Sequence, residues 1–339
     1  MQKKGESQRT WDVIGFGENS VDLIATTATL PGPDGKAPLD GLTTLPGGQI
    51  ATASIGCARL GLRTRYVGAC GADANGALVR DALTHAGVDT ALLRTIDGQT
   101  RTAIILVESA RQSRMVLWRR DPALDWPADA LPLSAVGEAR VLLVDATDLD
   151  GSIRMATAAR AAGVLTVADV DGEVPGLDRL LRLTDVLVVS ATFTSDLRQL
   201  HRDTGARVVI ATLGADGAVA WDGTTEHYSP GFVVPVVDTT GAGDAFRAGL
   251  IAALLDSGTR LRQGFGGHAP SEPWTPVLAF ANACAALNCG ANGAQAGLPG
   301  RPAVDALLTS RTADRSKGVW ETGHKVSHLA GGPESGDRP

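Results

Sequence analysis

The chain has 339 residues, 44% of them hydrophobic and 20% charged, enough to bury the core of one large α/β unit. Its formal net charge of −6 argues against general nucleic-acid binding, which needs a basic footprint. No apolar run is long enough to span a membrane and Met1 to Thr10 is polar with no signal core, so the expected setting is cytoplasmic, without a nucleic-acid or membrane partner.

Residues 1–10 read as a disordered N-terminus. Trp11 to Phe16 is a buried-strand pattern leading into Gly15-Phe16-Gly17. Residues 20–46 begin strand-like and then carry Pro31, Gly32, Pro33 and Gly35, an extended excursion from the core. Ile50 to Leu60 has small and apolar residues at helical spacing and stops at Gly61. A strand over Arg65 to Ala69 and a helix over Ala77 to His85 come next, with Gly87 as C-cap. Thr102 to Val107 and Met115 to Trp118 are β-rich around a polar turn, which predicts a hairpin pairing with the excursion to form a small second sheet.

From residue 141 short apolar runs alternate with helical stretches such as Ile153 to Ala162. The runs are Val141–Val144, Val164–Ala168, Val186–Val189 and Val208–Ala211. This rhythm predicts a parallel sheet covered on both faces. Ala218–Trp221, Glu226–Ser229 and Gly231–Val237 read as antiparallel edge strands. Helices are expected over about Ala245–Leu255 and Pro276–Asn288, with a loop at 263–274 between them. Residues 312–339 are polar and Gly/Pro-bearing, a disordered tail. Cys57, Cys70, Cys284 and Cys289 form no Cys-x-x-Cys pair and read as small buried thiols.

The most informative stretch runs from Val236 to Phe246. An apolar strand end meets Gly241-Ala242-Gly243, whose small side chains leave backbone N–H groups uncovered where a helix begins. Such a corner binds anions, because unpartnered donors and the helix dipole point the same way. Asp244 lies in the first helical turn beside it, where a carboxylate can take a proton from an attacking hydroxyl.

Asp238-Thr239-Thr240-Gly241-Ala242-Gly243-Asp244, followed by Ala248-Gly249-Leu250, resembles the C-terminal signature of the ribokinase-like carbohydrate kinases of PfkB type. Matches extend over about residues 11–310. Pro46-Gly47-Gly48-Gln49 and the small residues after it resemble the family's N-terminal Gly-Gly element, with Gly61 and Gly71 at the spacing it expects. Thr212-Leu213-Gly214-Ala215-Asp216-Gly217 resembles the family's turn beside ATP.

The resemblance implies an α/β, three-layer ribokinase-like fold: a central, mostly parallel sheet and a small β lid. The kinase domain would span 11–311, with the lid from about 20–46 and 92–120. It implies ATP-dependent phosphorylation of a hydroxyl on a sugar or sugar acid, with Asp244 as general base and Gly241, Ala242 and Gly243 as anion hole. Asp22, Gly47, Gly48, Gln49, Thr52 and Arg119 would meet the substrate, with Arg119 and Arg120 offering charge to an anionic group. Ser190, Thr212, Gly214, Gly217 and Asn282 would meet ATP. Asp238, Thr240 and backbone near Gly293 fall where relatives bind a monovalent cation, so K⁺ joins Mg²⁺ as an expected ion. A homodimer through the lid is a further expectation.

Two departures matter. Thr52 and Ile50 replace an Asn and a small residue in the N-terminal element. The family's Asn-x-x-Glu, which organises Mg²⁺, reads Ser190-Ala191-Thr192-Phe193 here, so Mg²⁺ is expected to be held mainly by ATP phosphates and water. The alternatives are a nucleoside kinase of the same fold and a weakly active ligand-binding or sensor homologue. Gly15-Phe16-Gly17-Glu18-Asn19-Ser20 imitates a dinucleotide fingerprint but lacks the third glycine and a helix after it.

Overall fold

The computed structural model describes residues 9–111, 113–194, 196–257 and 274–316. The chain opens with β1 (Trp11–Phe16), β2 (Ser20–Thr27), β3 (Gly41–Gly47), α1 (Gln49–Arg59), β4 (Thr64–Gly71), α2 (Ala74–His85) and β5 (Asp89–Ile96). A hairpin of β6 (Thr102–Glu108) and β7 (Ser113–Arg119) and a short α3 (Leu133–Val136) come after it. Strand and helix then alternate through β8 (Ala139–Val144), α4 (Leu149–Ala161), β9 (Leu165–Val170), α5 (Leu177–Leu181), β10 (Val186–Ser190), α6 (Leu197–Thr204) and β11 (Val208–Thr212). β12 (Ala218–Trp221), β13 (Glu226–Ser229), α7 (Ala242–Asp256), α8 (Trp274–Asn288) and α9 (Arg301–Ser316) complete it.

A nine-stranded sheet has the order β13-β12-β11-β10-β9-β8-β1-β4-β5. Its ladder is parallel from β5 to β11 and antiparallel at β12 and β13. Successive side chains of a strand face opposite ways, and here both faces are apolar. Val141 and Leu143 enter the core under α1, α7 and α8, while Leu142 and Val144 enter the core under α3 and α4. Val186/Val188 and Leu187/Val189 divide in the same way. Continuous Val/Ile/Leu runs are therefore required, and three layers result.

A four-stranded sheet of order β3-β2-β6-β7 stands apart. β2 pairs antiparallel with β3 and parallel with β6, and β6 pairs antiparallel with β7. The excursion and the hairpin thus meet as the sequence suggested.

The structure differs from the sequence expectation in four places. The segment from residue 92, expected in the lid, completes β5 in the large sheet through parallel pairing with β4; the small sheet takes up the chain only at Thr102. Gly231–Val237 forms no strand. Pro235 cannot donate to a ladder, and the segment instead sends the Val237 N–H to the Cys289 carbonyl at 2.8 Å. α9 continues to Ser316, into the stretch expected as tail, and α8 starts at a buried Trp274. The rest of the 263–274 loop, most of the tail and residues 1–8 lie outside the described residues. The four cysteines are free and buried. Among the described residues, no helix is long and apolar enough to cross a membrane.

Leu142 is fully buried at the middle of the large sheet. Leu142→Ala is expected to destabilise the fold by about 2–5 kcal/mol, read as a lowered denaturation midpoint.

Candidate active site

All parallel strands of the large sheet end at one edge, and several acidic side chains gather there. Asp145 comes directly after β8, Asp171 directly after β9, Glu18 lies between β1 and β2, and Asp22 projects from β2. The end of α7 that carries Asp244 meets the same edge, since Asp22, Asp145 and Asp171 all act on its charge.

The corner opening α7 is built around Gly241, whose φ of 74° is left-handed. A Cβ there would lie 2.4 Å from the Ala294 carbonyl oxygen, so only glycine fits. Thr239 O accepts the Ala242 N–H at 3.2 Å, and Gly241 O accepts the Ala245 N–H at 2.9 Å. The first N–H groups of such a helix have no intrahelical partners, and the dipole adds positive potential.

Asp244 sits in this first turn and is 9% exposed. Burial pushes its carboxyl up to about 7; Arg247 opposes the rise, while Asp171, Asp145 and Asp22 add to it. The group can therefore exchange a proton near neutral pH. Arg247 Nη1 lies 3.6 Å from Asp244 Oδ1.

Asp238 joins the corner to the loop after α8. Its carboxylate accepts the Thr240 N–H at 2.9 Å, the Thr240 hydroxyl at 2.8 Å and the Gly293 N–H at 2.8 Å. Burial alone would raise this carboxyl, but the hydrogen-bond donors outweigh it and hold the group below its ordinary range. Asp238 thus ties together the other two residues expected at a cation site.

At the start of α1, Gly47 and Gly48 pack against β2 and the residue before it. A Cβ on Gly47 would meet Asp22 Oδ2 at 2.4 Å, and Gly48, with φ 91°, touches the Asn19 backbone. Asp22 is buried, accepts the Ser20 hydroxyl at 2.9 Å and is pushed upward by burial, with Ser20 and Arg101 opposing. Gln49 is half-buried at the start of α1. Thr52 is not in the cleft: it is fully buried, and its hydroxyl accepts the Gln295 amide at 3.2 Å.

Arg119 is also placed differently from the sequence expectation. Register aligns Asp22 with Ala103 and Ala103 with Trp118, so Trp118 shares the Asp22 face and Arg119 faces away. Arg119 donates to the Gln99 side chain on that far side. Arg120 faces the cleft instead, paired with Asp125 at 2.6 Å beside Glu18, Asn19, Trp126 and Asp148. Arg101 shares the near face, pairs with Glu18 at 2.6 Å and lies 5.5 Å from the Trp118 ring.

Further along the sheet, Thr212 ends β11, and Gly214 and Gly217 shape the turn into β12 with φ of 61° and 99°. A Cβ on Gly217 would strike the Ser229 carbonyl, which also accepts the Asn282 amide at 2.9 Å. Asn282 is therefore engaged in tying α8 to this turn. Ser190 Oγ lies 2.6 Å from Thr192 Oγ1, and Phe193 packs into the core under α4 and α5.

Comparison with known proteins bears on this arrangement. The family model described as "pfkB family carbohydrate kinase" matches residues 12–301. The chain belongs to the pfkB family of carbohydrate kinases. An ATP-dependent ribose-1-phosphate kinase of Halopiger xanaduensis is 30% identical over 312 residues, 88% of this chain and 98% of the relative. A fructokinase of Escherichia coli is 29% identical, covering 86% and 97%. The Arabidopsis thaliana ribokinase complexed with ribose and ATP has a TM-score of 0.71 at 25% identity, over 88% of this chain and 98% of that one.

Within this kinase fold, the sequence pattern gave no notice of Glu18, Asp145, Asp169, Asp171, Arg101 and Arg247. A usable signal existed for two of them: Asp145 and Asp171 come directly after strands of a parallel sheet, at the edge where α/β folds bind ligands. Gly241→Ala is expected to destabilise the corner by about 1–3 kcal/mol or more. Thermal unfolding and nucleotide titration should show a lower midpoint and weaker binding together.

Proposed function

We propose that this kinase transfers the γ-phosphoryl group of ATP to a hydroxyl of a sugar or sugar acid, with Asp244 as general base and Gly241–Gly243 as anion hole. The observation that carries this reading is a buried carboxyl, raised to about 7, in the first turn of a helix opened by a left-handed glycine corner. The ribokinase that resembles this chain holds ribose and ATP together, which supports the same pair of substrate classes here.

Asp244 takes the proton as the substrate oxygen bonds to the γ-phosphorus, while the bond from that phosphorus to the β-phosphate bridging oxygen breaks and ADP leaves. N–H groups at the corner stabilise charge on the phosphoryl oxygens in flight. Asp22, with Gly47, Gly48 and Gln49 shaping the wall beside it, would accept hydrogen bonds from substrate hydroxyls. Arg120 and Arg101, rather than Arg119, would meet an anionic substituent. The small sheet would act as the lid that excludes water.

Among the described residues no three His, Cys, Asp or Glu groups converge as a metal site, and Ser190–Phe193 offers hydroxyls and an aromatic ring, not a carboxylate. These residues do not fit a protein cage for Mg²⁺, which we place on the ATP phosphates and water. The ionised carboxyl of Asp238 beside Thr240 and Gly293 fits a K⁺ neighbour.

A nucleoside kinase is the second reading. Trp118 favours it: the ring is 65% exposed on the cleft face of the small sheet, where a base could stack. A homodimer is proposed through the outer face of that sheet, where Leu42, Ile104, Met115 and Leu117 are exposed; a monomeric mass in sedimentation would oppose it.

ATP consumption across neutral sugars, sugar acids, sugar phosphates and nucleosides tests the reading. Asp244→Asn is expected to lower kcat by about 10²–10⁴-fold without a matching change in ATP affinity. Ligand binding with no turnover on any substrate would favour the sensor alternative. The base must be ionised and its carboxyl is raised, so kcat/KM should fall as pH drops below about 7 and level off above it. A profile flat through neutrality would count against Asp244. Arg120→Ala should raise KM for acidic substrates more than for neutral ones.

A further inference from the structure

We infer that Arg247 is a positioning residue for Asp244, a buried counter-ion anchored to β9 that holds the carboxylate against the glycine corner. The inference rests on the reading of Asp244 as base.

Arg247 lies one turn after Asp244 on α7 and is only 5% exposed. Its neighbours on that helix are apolar and buried: Ala245, Phe246, Ala248, Leu250 and Ile251. A guanidinium among them carries a large desolvation cost that opposite charge must offset. Nε has no hydrogen-bond partner among the described residues, and the offset comes from three carboxylates at the fork. Nη1 lies 3.6 Å from Asp244 Oδ1, Nη2 contacts Asp169 Oδ1, and Nη2 also lies 3.5 Å from Asp171 Oδ1. Asp169 is itself 1% exposed within β9. The planar fork of arginine can hold a carboxylate on each side, which an ammonium cannot copy.

Gly243 belongs to the same device. A Cβ at Gly243 would come within 2.6 Å of Arg247 Nη1. The third small residue of the corner is therefore what lets the guanidinium lie against its backbone. Arg247 thus touches both parts of the proposed machinery, the carboxylate and the turn beside it.

Several acidic groups act on Asp244 from the packed elements. Asp171 comes after β9, Asp145 after β8 and Asp22 from β2, and each raises the Asp244 carboxyl. Glu18, after β1, and Asp169, on β9, interact with Asp244 as well. Arg247 opposes them. Without it the base would be protonated over more of the neutral range and free to turn towards solvent.

Three variants test this, each first checked for folding by thermal unfolding. Arg247→Met alone would leave Asp169 buried and unpaired, so it is combined with Asp169→Asn to keep the core neutral. The double variant is expected to keep its fold and to show the acid limb of kcat/KM moved up by about one pH unit, a roughly tenfold loss on the acid side, with activity recovering at alkaline pH. A folded double variant whose acid limb coincides with the parent's, or whose loss is equal at every pH, overturns the inference. Arg247→Lys keeps the charge but not the fork: the acid limb should stay near the parent's while kcat falls and KM holds. A raised KM with unchanged kcat in that variant would also overturn it. Asp244→Asn separates the two levels: if it retains full turnover the base assignment itself fails, whereas if it is inactive and the acid limb of the double variant does not move, only the role of Arg247 fails.

Discussion

A parallel sheet sends every strand to the same edge, and this chain depends on that constraint. β1, β4 and β8 through β11 run in one direction. The loops leaving those strands must therefore share one narrow region with the N-terminal turn of α7. Acidic residues come after β8 and β9, another lies beyond β1, and Asp22 enters from the small sheet. The cleft becomes a region of concentrated negative charge, partly out of water, and the carboxyls there are pushed towards protonation. For a phosphoryl-transfer enzyme this is a balance: a base is wanted near neutrality, while an anionic nucleotide must still be admitted. The glycine corner with its N–H donors, and the guanidiniums of Arg247, Arg101 and Arg120, provide the opposing charge.

The small sheet joins two parts of the site. Its β2 carries Asp22, and its β3 reaches the loop after α8 through Leu45, whose side chain lies where a Cβ on Gly293 would sit. Gly293 in turn donates to Asp238, two residues before Thr240 and the corner. The small sheet and the corner are thus connected through a short chain of contacts, Leu45 to Gly293 to Asp238.

Two substitutions relative to the family pattern have clear structural consequences. Thr52 turns away from the cleft to bond Gln295, so this position helps seat α1 on the loop after α8. Phe193 packs, partly buried, against the core on one face of the large sheet rather than offering a carboxylate. The second change removes an acidic group from a site that already has many. This is consistent with metal management by the nucleotide and water, and with cationic support drawn from arginine.

Much of this was legible before folding. Continuous Val/Ile/Leu runs separated by helical stretches required a doubly covered parallel sheet, because alternate side chains of each strand had to find apolar surroundings on both sides. Gly241-Ala242-Gly243-Asp244 marked the corner, because only glycine tolerates its backbone and its approach to Ala294. These are local properties, written in consecutive residues. Arg247, one turn along α7, is a local neighbour of Asp244. The acidic charges around it are not local: Asp169 on β9, Asp171 after it and Asp145 after β8 meet Asp244 only in the folded chain. The exchange of Arg119 for Arg120 at the cleft has the same origin: composition cannot tell two adjacent arginines apart, whereas the register of β6 and β7 turns Arg119 to the far face and Asp125 holds Arg120 beside Glu18 and Asn19. The chain's order of residues determined the sheet, the corner, the acid beside it and the arginine one turn on; tertiary packing decided that acid's acidic neighbours, because long-range Coulomb contacts depend on which distant segments the fold brings together.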